Sequence, residues 1–446
     1  MATLESVSLF SNCGAGDVGF SRAGFQFEVL AEIDERRLSV ALRNHANALG
    51  VAGDLRQTWP EVVASYRKRC GSTQPALLSA CPPCQGMSSA QGSRGHENDP
   101  DAGSRDARNL LVEVVAAVAN EIEPWIAVVE NVAAFLSRLV VDPDSGEPIS
   151  SAALLIRLLG DHYCVFPFLT DLADYGVPQR RVRAFLTFIR CGESSFELLQ
   201  REALVPFPCA SAFLGSSDQK TLREALADLG ARPLDAKTKA GARDELNPMH
   251  AVPVWGDNRQ YRMVAAIPAG SGGKAWQNSK CERCGKVSVG PEEAVCPVCT
   301  GPLLRPVVQE EDSSYRLVKG FRNSSYARMS PDTPAATITT ASGHVGSDLT
   351  IHPFENRVLS PLECAYLQTF PDDFDWGDSL ERWGPTFVRT IIWEAVPPRF
   401  TELHGRALVH LLEGEVTGLA VRSDVRVQNA KKRLGRQTPH ALELIA

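Results

Sequence analysis

The sequence predicts an α/β fold with a doubly wound, largely parallel sheet, on three observations. Short β-rich runs alternate with helically spaced segments over the first 190 residues, the rhythm of successive βαβ units. A glycine-bearing turn directly follows the first run. The rhythm breaks near residue 205 and returns near Arg357, which predicts a second, smaller domain set within the first.

The elements follow in order. Residues 6–10, 27–33, 76–80, 126–130, 164–171 and 182–190 read as strands, because they are short, apolar and rich in β-branched or aromatic residues. Residues 34–48, 107–121 and 151–160 carry helical spacing, and a last helix is expected around 400–414. Between the two regular parts lie loops rich in Gly, Pro and Ser, such as Ala269-Gly270-Ser271-Gly272-Gly273. The stretch 422–436 is polar and basic and reads as a poorly ordered tail. The resulting division is 1–195, a second domain over 196–355, a return to the first over 356–414, and a basic tail over 415–446. No internal repeat is evident.

At 446 residues, 44 % hydrophobic and 22 % charged, the chain has the composition of a soluble globular protein of one large or two ordinary domains. The start lacks a basic stretch followed by an apolar core, and no apolar run reaches 18 residues. Neither export nor a membrane span is therefore expected. The 12 cysteines then point to a reducing, cytoplasmic setting with structural, metal-bound or catalytic thiols. Residues 216–330 hold 17 Lys and Arg against 13 Asp and Glu, within a chain of net charge −7. A mildly basic module on an acidic body suits contact with a polyanion through one face, although so mild an excess also fits an ordinary solvated surface.

Four local patterns carry chemistry. The first strand runs into Ser11-Asn12-Cys13-Gly14-Ala15-Gly16-Asp17-Val18-Gly19-Phe20. Glycines between strand and helix allow a ligand close to the backbone. Glu32 and Asp34 end the next strand, where a carboxylate reaches ribose hydroxyls. Gly53-Asp54-Leu55 adds a carboxylate suited to an adenine amino group. A dinucleotide fold would look similar, but the spacing departs from G-x-G-x-x-G and favours another nucleoside cofactor. Second, Ala80-Cys81-Pro82-Pro83-Cys84-Gln85-Gly86 follows a buried strand. Prolines stiffen the turn that presents Cys84, a candidate nucleophile; a redox pair or half a metal site is the alternative. Third, Glu130-Asn131-Val132 places a carboxylate at a strand's C-terminal end, either at a crevice or as a helix cap. Fourth, in Gln179-Arg180-Arg181-Val182-Arg183 alternation puts Arg181 and Arg183 on one face, at a site or on a solvated basic edge.

Taken together, these motifs resemble the DNA cytosine-5 methyltransferase family. Phe10-x-x-x-Gly14 through Gly19-Phe20 is similar to its S-adenosylmethionine loop, and Pro83-Cys84-Gln85 to its catalytic loop. Arg357-x-Leu359-Ser360-Pro361-x-Glu363 with Leu367-Gln368-x-Phe370-Pro371-Asp372-x-Phe374 matches its long organising motif, preceded by Pro334-Ala335-Ala336-Thr337-Ile338-Thr339. Asp106-x-Arg108-Asn109-Leu110-Leu111 resembles the helix start that closes over the cofactor. The likeness covers roughly residues 6–190 and 331–412. It departs at Asn12 and Ala15, where the family has glycines, and at Trp393-Glu394, which stands for Gly-Asn before Ala395-Val396-Pro397-Pro398.

The resemblance implies an S-adenosylmethionine-binding catalytic domain over 1–195 and 356–414, and a target-recognition domain over 196–355. Cys84 would add to C6 of a flipped-out cytosine, Glu130 would contact N3 and the 4-amino group, and Arg181 and Arg183 would support Glu130 and the base or its phosphates. Phe10, Gly14, Glu32, Asp54, Leu55, Pro83, Leu111 and Glu394 would line the cofactor. Double-stranded DNA is the implied partner, methylated by a monomer in a prokaryotic or phage setting, with a companion restriction endonuclease. Methylation of RNA by the tRNA-acting branch, and a silent zinc-ribbon DNA-binding protein, are the competing readings.

Cys281-x-x-Cys284 and Cys296-x-x-Cys299, eleven residues apart, form a structural zinc signature within 281–299. Two disulfides or an iron–sulfur centre are alternatives. The metal is expected to staple a segment too small for its own core, with direct DNA contact the other role.

Overall fold

In the computed structural model the described residues are 3–83, 110–160, 162–215, 219–287, 293–320, 324–339 and 341–435. The N-terminal part runs β1 (Leu4–Leu9), α1 (Ala15–Ala23), β2 (Phe25–Glu32), α2 (Glu35–Asn44), β3 (Leu49–Ala52), α3 (Leu55–Cys70), β4 (Leu77–Ala80), α4 (Val112–Ile122) and β5 (Ile126–Val132). A hairpin of β6 (Leu139–Val141) and β7 (Pro148–Ser150) leads to α5 (Ser151–Leu159), β8 (Tyr163–Asp171), β9 (Val182–Arg190) and α6 (Ser194–Arg201). Next come β10 (Leu204–Pro208), α7 (Ala210–Leu214), α8 (Leu222–Leu229), α9 (Arg259–Ala265) and the pair β11 (Val307–Gln309) and β12 (Tyr315–Leu317). The chain closes with α10 (Pro361–Leu367), α11 (Ser379–Glu394), α12 (Pro398–Leu412), β13 (Leu419–Val421) and α13 (Val425–Gly435).

Seven strands form the main sheet in the order β3-β2-β1-β4-β5-β9-β8. The first five are parallel, whereas β9 runs antiparallel to both β5 and β8. The connection from β8 to β9 spans only 172–181, too short for the crossover that a parallel neighbour requires. Strand order reverses between β1 and β4, so a crevice opens beyond their C-terminal ends.

Helices cover both faces, which is why the strands are apolar throughout. On one face α3, α4 and α5 pack through Val62, Tyr66, Val115, Val118, Leu154 and Leu155. On the other, α1 and α12 pack through Phe20, Phe400, Leu403 and Leu408. Gly19 is obligatory there, because a Cβ would overlap Thr401 Oγ1 and the Pro398 carbonyl.

Three sequence expectations need correction. α3 was not anticipated, since Pro60 lies inside it and proline disrupts a helical pattern. The basic tail is not loose over 425–435: it is helix α13, whose Val427, Ala430 and Leu434 are fully buried against the two cores. Cys164 and Cys191 form a disulfide with a Cα separation of 5.7 Å, where free thiols were expected. Residues 194–229 pack on the sheet-bearing body. β10 pairs with β13 and α8 joins the core of α10 and α11, so the boundary expected at 196 falls within that body. A separate small core begins beyond it, built by Ala236, Trp255, Met263, Val264, Ile267, Val345, Ile351 and Val358. Among the described residues no helix is long and apolar enough to cross a membrane.

His404 on α12 is fully buried among Phe20, Phe185, Phe207 and Phe400. Its Nε2 donates to the Pro206 carbonyl at 3.0 Å, and burial pushes its pKa from 6.5 down to about 4. On acidification the unfolded chain therefore takes the proton first. The contribution is full above about pH 6.5 and is lost as pH falls toward 4. Thermal melts across this interval should show a falling Tm, and His404→Gln should flatten that slope.

Candidate active site

A cavity of about 610 Å³ opens at the C-terminal ends of β1, β2, β4 and β5. Its first wall is the turn after β1. Phe10, Asn12 and Gly14 there adopt φ of 57°, 49° and 74°, so two non-glycine residues sit in the left-handed region at a cost that the surroundings must meet. Asn12 supplies that support itself. Its N–H donates to Glu32 Oε2 at 2.9 Å, and its side-chain amide donates to the Ile391 carbonyl at 2.9 Å.

Glu32, at the end of β2, is buried and faces the cavity. Burial raises its pKa, against hydrogen bonds from the Asp34 and Asn12 amides and the charge of Arg37. Asp54 caps α3 through the Arg56 N–H at 3.0 Å. Hydrogen bonding to the Arg56 side chain lowers its pKa. Asp17, in the first turn of α1, also lines the cavity, and burial pushes it up to about 7 against hydrogen bonds from Ser8 and Ser79. Sequence reasoning missed it because a carboxylate in a first helical turn is commonplace.

The opposite wall is built by β4, β5 and β9. Glu130 is 6 % exposed. Arg183 Nε lies 2.9 Å from its Oε1, and the Cys81 thiol donates to its Oε2 at 2.8 Å. The neighbouring Asn131 amide donates to the Pro82 carbonyl at 3.0 Å. β5 thus tethers the proline turn that follows β4. Arg181, just before β9 and 2 % exposed, donates from Nη2 to the Ala395 carbonyl at 3.0 Å, and its N–H donates to Asp171 Oδ1 at 2.8 Å.

Two buried amides lock this wall to the C-terminal half. Gln179 Nε2 donates to Gln368 Oε1 at 3.0 Å, and Gln368 Nε2 donates to the Ile392 carbonyl at 2.8 Å. Gln179 Oε1 accepts from the Ile338 N–H at 3.0 Å. Beyond Ile392, Trp393 and Glu394 line the cavity, and Glu394 Oε2 pairs with Arg37 Nη1 at 2.5 Å.

The structure therefore gathers Phe10, Glu32, Asp54, Pro83, Leu111, Glu130, Arg181, Arg183 and Glu394 around one cavity. Gly14 and Leu55 stand behind its wall, Gly14 holding His45 through its carbonyl at 3.1 Å and Leu55 buried in the core. Cys84, with Asp106, Arg108 and Asn109, lies outside the described residues. Cys81, Asn131 as a tether, and Arg37 were not foreseen; each acts on a segment distant in sequence, and no local pattern marks it.

The Sγ atoms of Cys281, Cys284, Cys296 and Cys299 lie within 4.8 Å of one another. Cys281 and Cys299 are 3.5 Å apart, and Cys284 and Cys296 3.8 Å. Tetrahedral thiolates about 2.3 Å from zinc would stand about 3.8 Å apart, so the set fits that ion. Burial opposes ionisation of Cys281, but the Cys284 and Arg283 N–H groups and the Cys299 thiol draw its pKa down to about 7.

Residues 4–410 match the family model of the C-5 cytosine-specific DNA methylases. The chain is 25 % identical over 408 residues to the type II methyltransferase M1.HgaI of Avibacterium volantium, covering 90 % of this chain and 96 % of that protein. It is 24 % identical over 410 residues to M.Eco47II of Escherichia coli, covering 91 % and 79 %. A crystal structure of a DNA modification methyltransferase encoded within an E. coli prophage shares the fold at a TM-score of 0.57 and 19 % identity, covering 92 % and 99 %.

Proposed function

The chain belongs to the C-5 cytosine-specific DNA methylases, and from that membership and the cavity we propose that it methylates C5 of cytosine within a specific double-stranded DNA sequence through a covalent Cys84 adduct. The observation that carries the reading is Glu130, a buried carboxylate clamped by Arg183 and Cys81 beside the proline turn that leads into Cys84.

C5 of cytosine is a poor nucleophile. Addition of the Cys84 thiolate at C6, with Glu130 holding N3 and the 4-amino group, makes C5 enamine-like. Arg183 fixes the Glu130 carboxylate, and Arg181 fixes the turn before β9 against Ala395. Loss of the C5 proton and of Cys84 after methylation restores the ring. The base must leave the stack to reach this cavity, at a cost of a few kcal/mol.

S-adenosylmethionine supplies the electrophilic methyl group when bound. The residues around the cavity fit it: Glu32 faces inward for the ribose, Asp54 for the adenine, and Phe10, Pro83 and Leu111 give apolar walls. In this reading the catalytic work belongs to the sheet-bearing parts, 1–195 and 356–414. Target recognition belongs to the region expected over 196–355, of which 236–358 has its own small core. Zinc held by four cysteines would have no open position for water and would be structural. The type II methyltransferases among its relatives support a restriction–modification setting, in a prokaryotic cytoplasm.

Transfer of labelled methyl from S-adenosylmethionine to duplex DNA, with tRNA as the comparison, tests the reading. Label in duplex DNA with C5-methylated cytosine at one sequence on bisulfite sequencing is expected; label only in tRNA, or in neither, overturns it. Cys84→Ser should abolish transfer while cofactor binding stays within a few-fold. Glu130→Gln should lower turnover by roughly 10²–10⁴, the range for a positioned proton-transfer group, with little change in Tm. Elemental analysis should find one zinc per chain. Cys296→Ser should release it and weaken DNA binding, yet leave S-adenosylmethionine binding intact by calorimetry.

A further inference from the structure

Among the described residues, four arginines line the cavity: Arg37, Arg56, Arg181 and Arg183. Three are committed elsewhere. Arg56 grips Asp54, Arg183 grips Glu130, and Arg181 donates to the Ala395 carbonyl. Arg37 differs. Its Nη1 pairs with Glu394 Oε2 at 2.5 Å, and its Nε makes no hydrogen bond among the described residues, the closest carboxylate being Asp34 at 4.0 Å. Both partners of the pair are about one-fifth exposed and face the cavity.

The pair sits on fixed supports. Arg37 rides on α2, directly beyond Glu32 and the Asp34 cap. Glu394 ends α11, whose last carbonyls are held by Asn12 at Ile391 and by Gln368 at Ile392. Asn12 and Glu394 are two of the positions where the chain departs from the family pattern, and the structure joins them at the same end of α11.

A cation and an anion side by side on a cavity wall complement a ligand that carries the opposite charges side by side. Ribose and adenine are neutral, and Glu32 and Asp54 already face inward to meet them. The amino-acid end of a nucleoside cofactor is a zwitterion, with its ammonium one carbon from its carboxylate. We propose that Arg37 and Glu394 are specificity-determining residues for that end, Arg37 donating to the carboxylate and Glu394 accepting from the ammonium. The inference rests on the reading of the cavity as an S-adenosylmethionine site.

Two nucleoside thioethers separate the possibilities. S-adenosylhomocysteine carries the amino-acid end and 5′-methylthioadenosine lacks it. Calorimetry on the full chain should show that Arg37→Gln and Glu394→Gln each weaken S-adenosylhomocysteine binding by about tenfold to a hundredfold, the scale of a charge-assisted hydrogen bond. Binding of 5′-methylthioadenosine should stay within about twofold, with Arg37→Lys intermediate. An equal loss for both ligands would make the pair a wall without specificity, and no loss for either would remove it from the site; each result overturns the inference. If the unaltered protein binds neither ligand, the cofactor reading itself fails. Tm of each variant, matched to the parent, excludes misfolding as the cause.

Discussion

Gln179 and Gln368 stand 189 residues apart in sequence and meet through one hydrogen bond of 3.0 Å, both fully buried. Nearly every wall of the cavity hangs on that contact. Gln179 fixes the turn before β9 that presents Arg181 and Arg183, and through Ile338 it also fixes 335–338, whose Ala335 bonds with Pro178 and Arg180. Gln368 fixes the end of α11 and thus Trp393 and Glu394. Each amide orientation is set by its partners, since a carbonyl must receive the NH₂ and an N–H must meet the oxygen. A buried amide left unpaired costs about 1–3 kcal/mol, so loosening one partner disturbs several arms at once.

A second buried contact sets how the recognition core meets the body. Arg357 holds Glu363 through two hydrogen bonds of 2.7 Å, and a third, of 2.8 Å, goes to Glu355. Burial alone would raise Glu363, yet hydrogen bonds and charge from Arg357 draw it to about 2. Glu363 also closes a capping box with Ser360 at the start of α10. Ser360 in turn bonds His250, and Glu355 accepts the Leu234 N–H. The small core of 236–358 is thus attached to α10 through charged and polar groups that have no solvent alternative. Helix α10 leads straight to Gln368 and the cavity wall.

Much of this was legible in the sequence where the signal is local. The strand at 182–190 was read with its observed bounds, and 126–130 lacked only two residues, because strands covered on both faces are unbroken apolar runs. Glu32, Asp54 and Glu130 were legible because strand ends open into the crevice. The sense of β9 was not legible, since hydrophobic pattern does not encode strand direction. Neither was α13, whose few apolar residues, Val427, Ala430 and Leu434, sit among Lys and Arg. The contacts of Cys81 with Glu130, Asn131 with Pro82 and Arg37 with Glu394 join segments from 49 to several hundred residues apart. Such pairings become visible only once the sheet order is known.

The tight seam between α1 and α12, where Gly19 faces Thr401 and Gly405 leaves only 2.6 Å from its would-be Cβ to Ala23, bears on how the chain is made. One face of the sheet receives its covering helix from the last quarter of the sequence. At about 5–20 residues per second, on the order of 20–80 s separate the synthesis of α1 from that of α12. During that interval Phe20, Phe25 and Phe27 lack the cover that buries them in the finished protein. The nascent chain has an apolar sheet face to keep from other chains before it has an enzyme. The same order of events means that a ribosome stalled before residue 398 releases a fragment with an incomplete cofactor wall, because Trp393 and Glu394 are held in place only by neighbours on both sides of the seam.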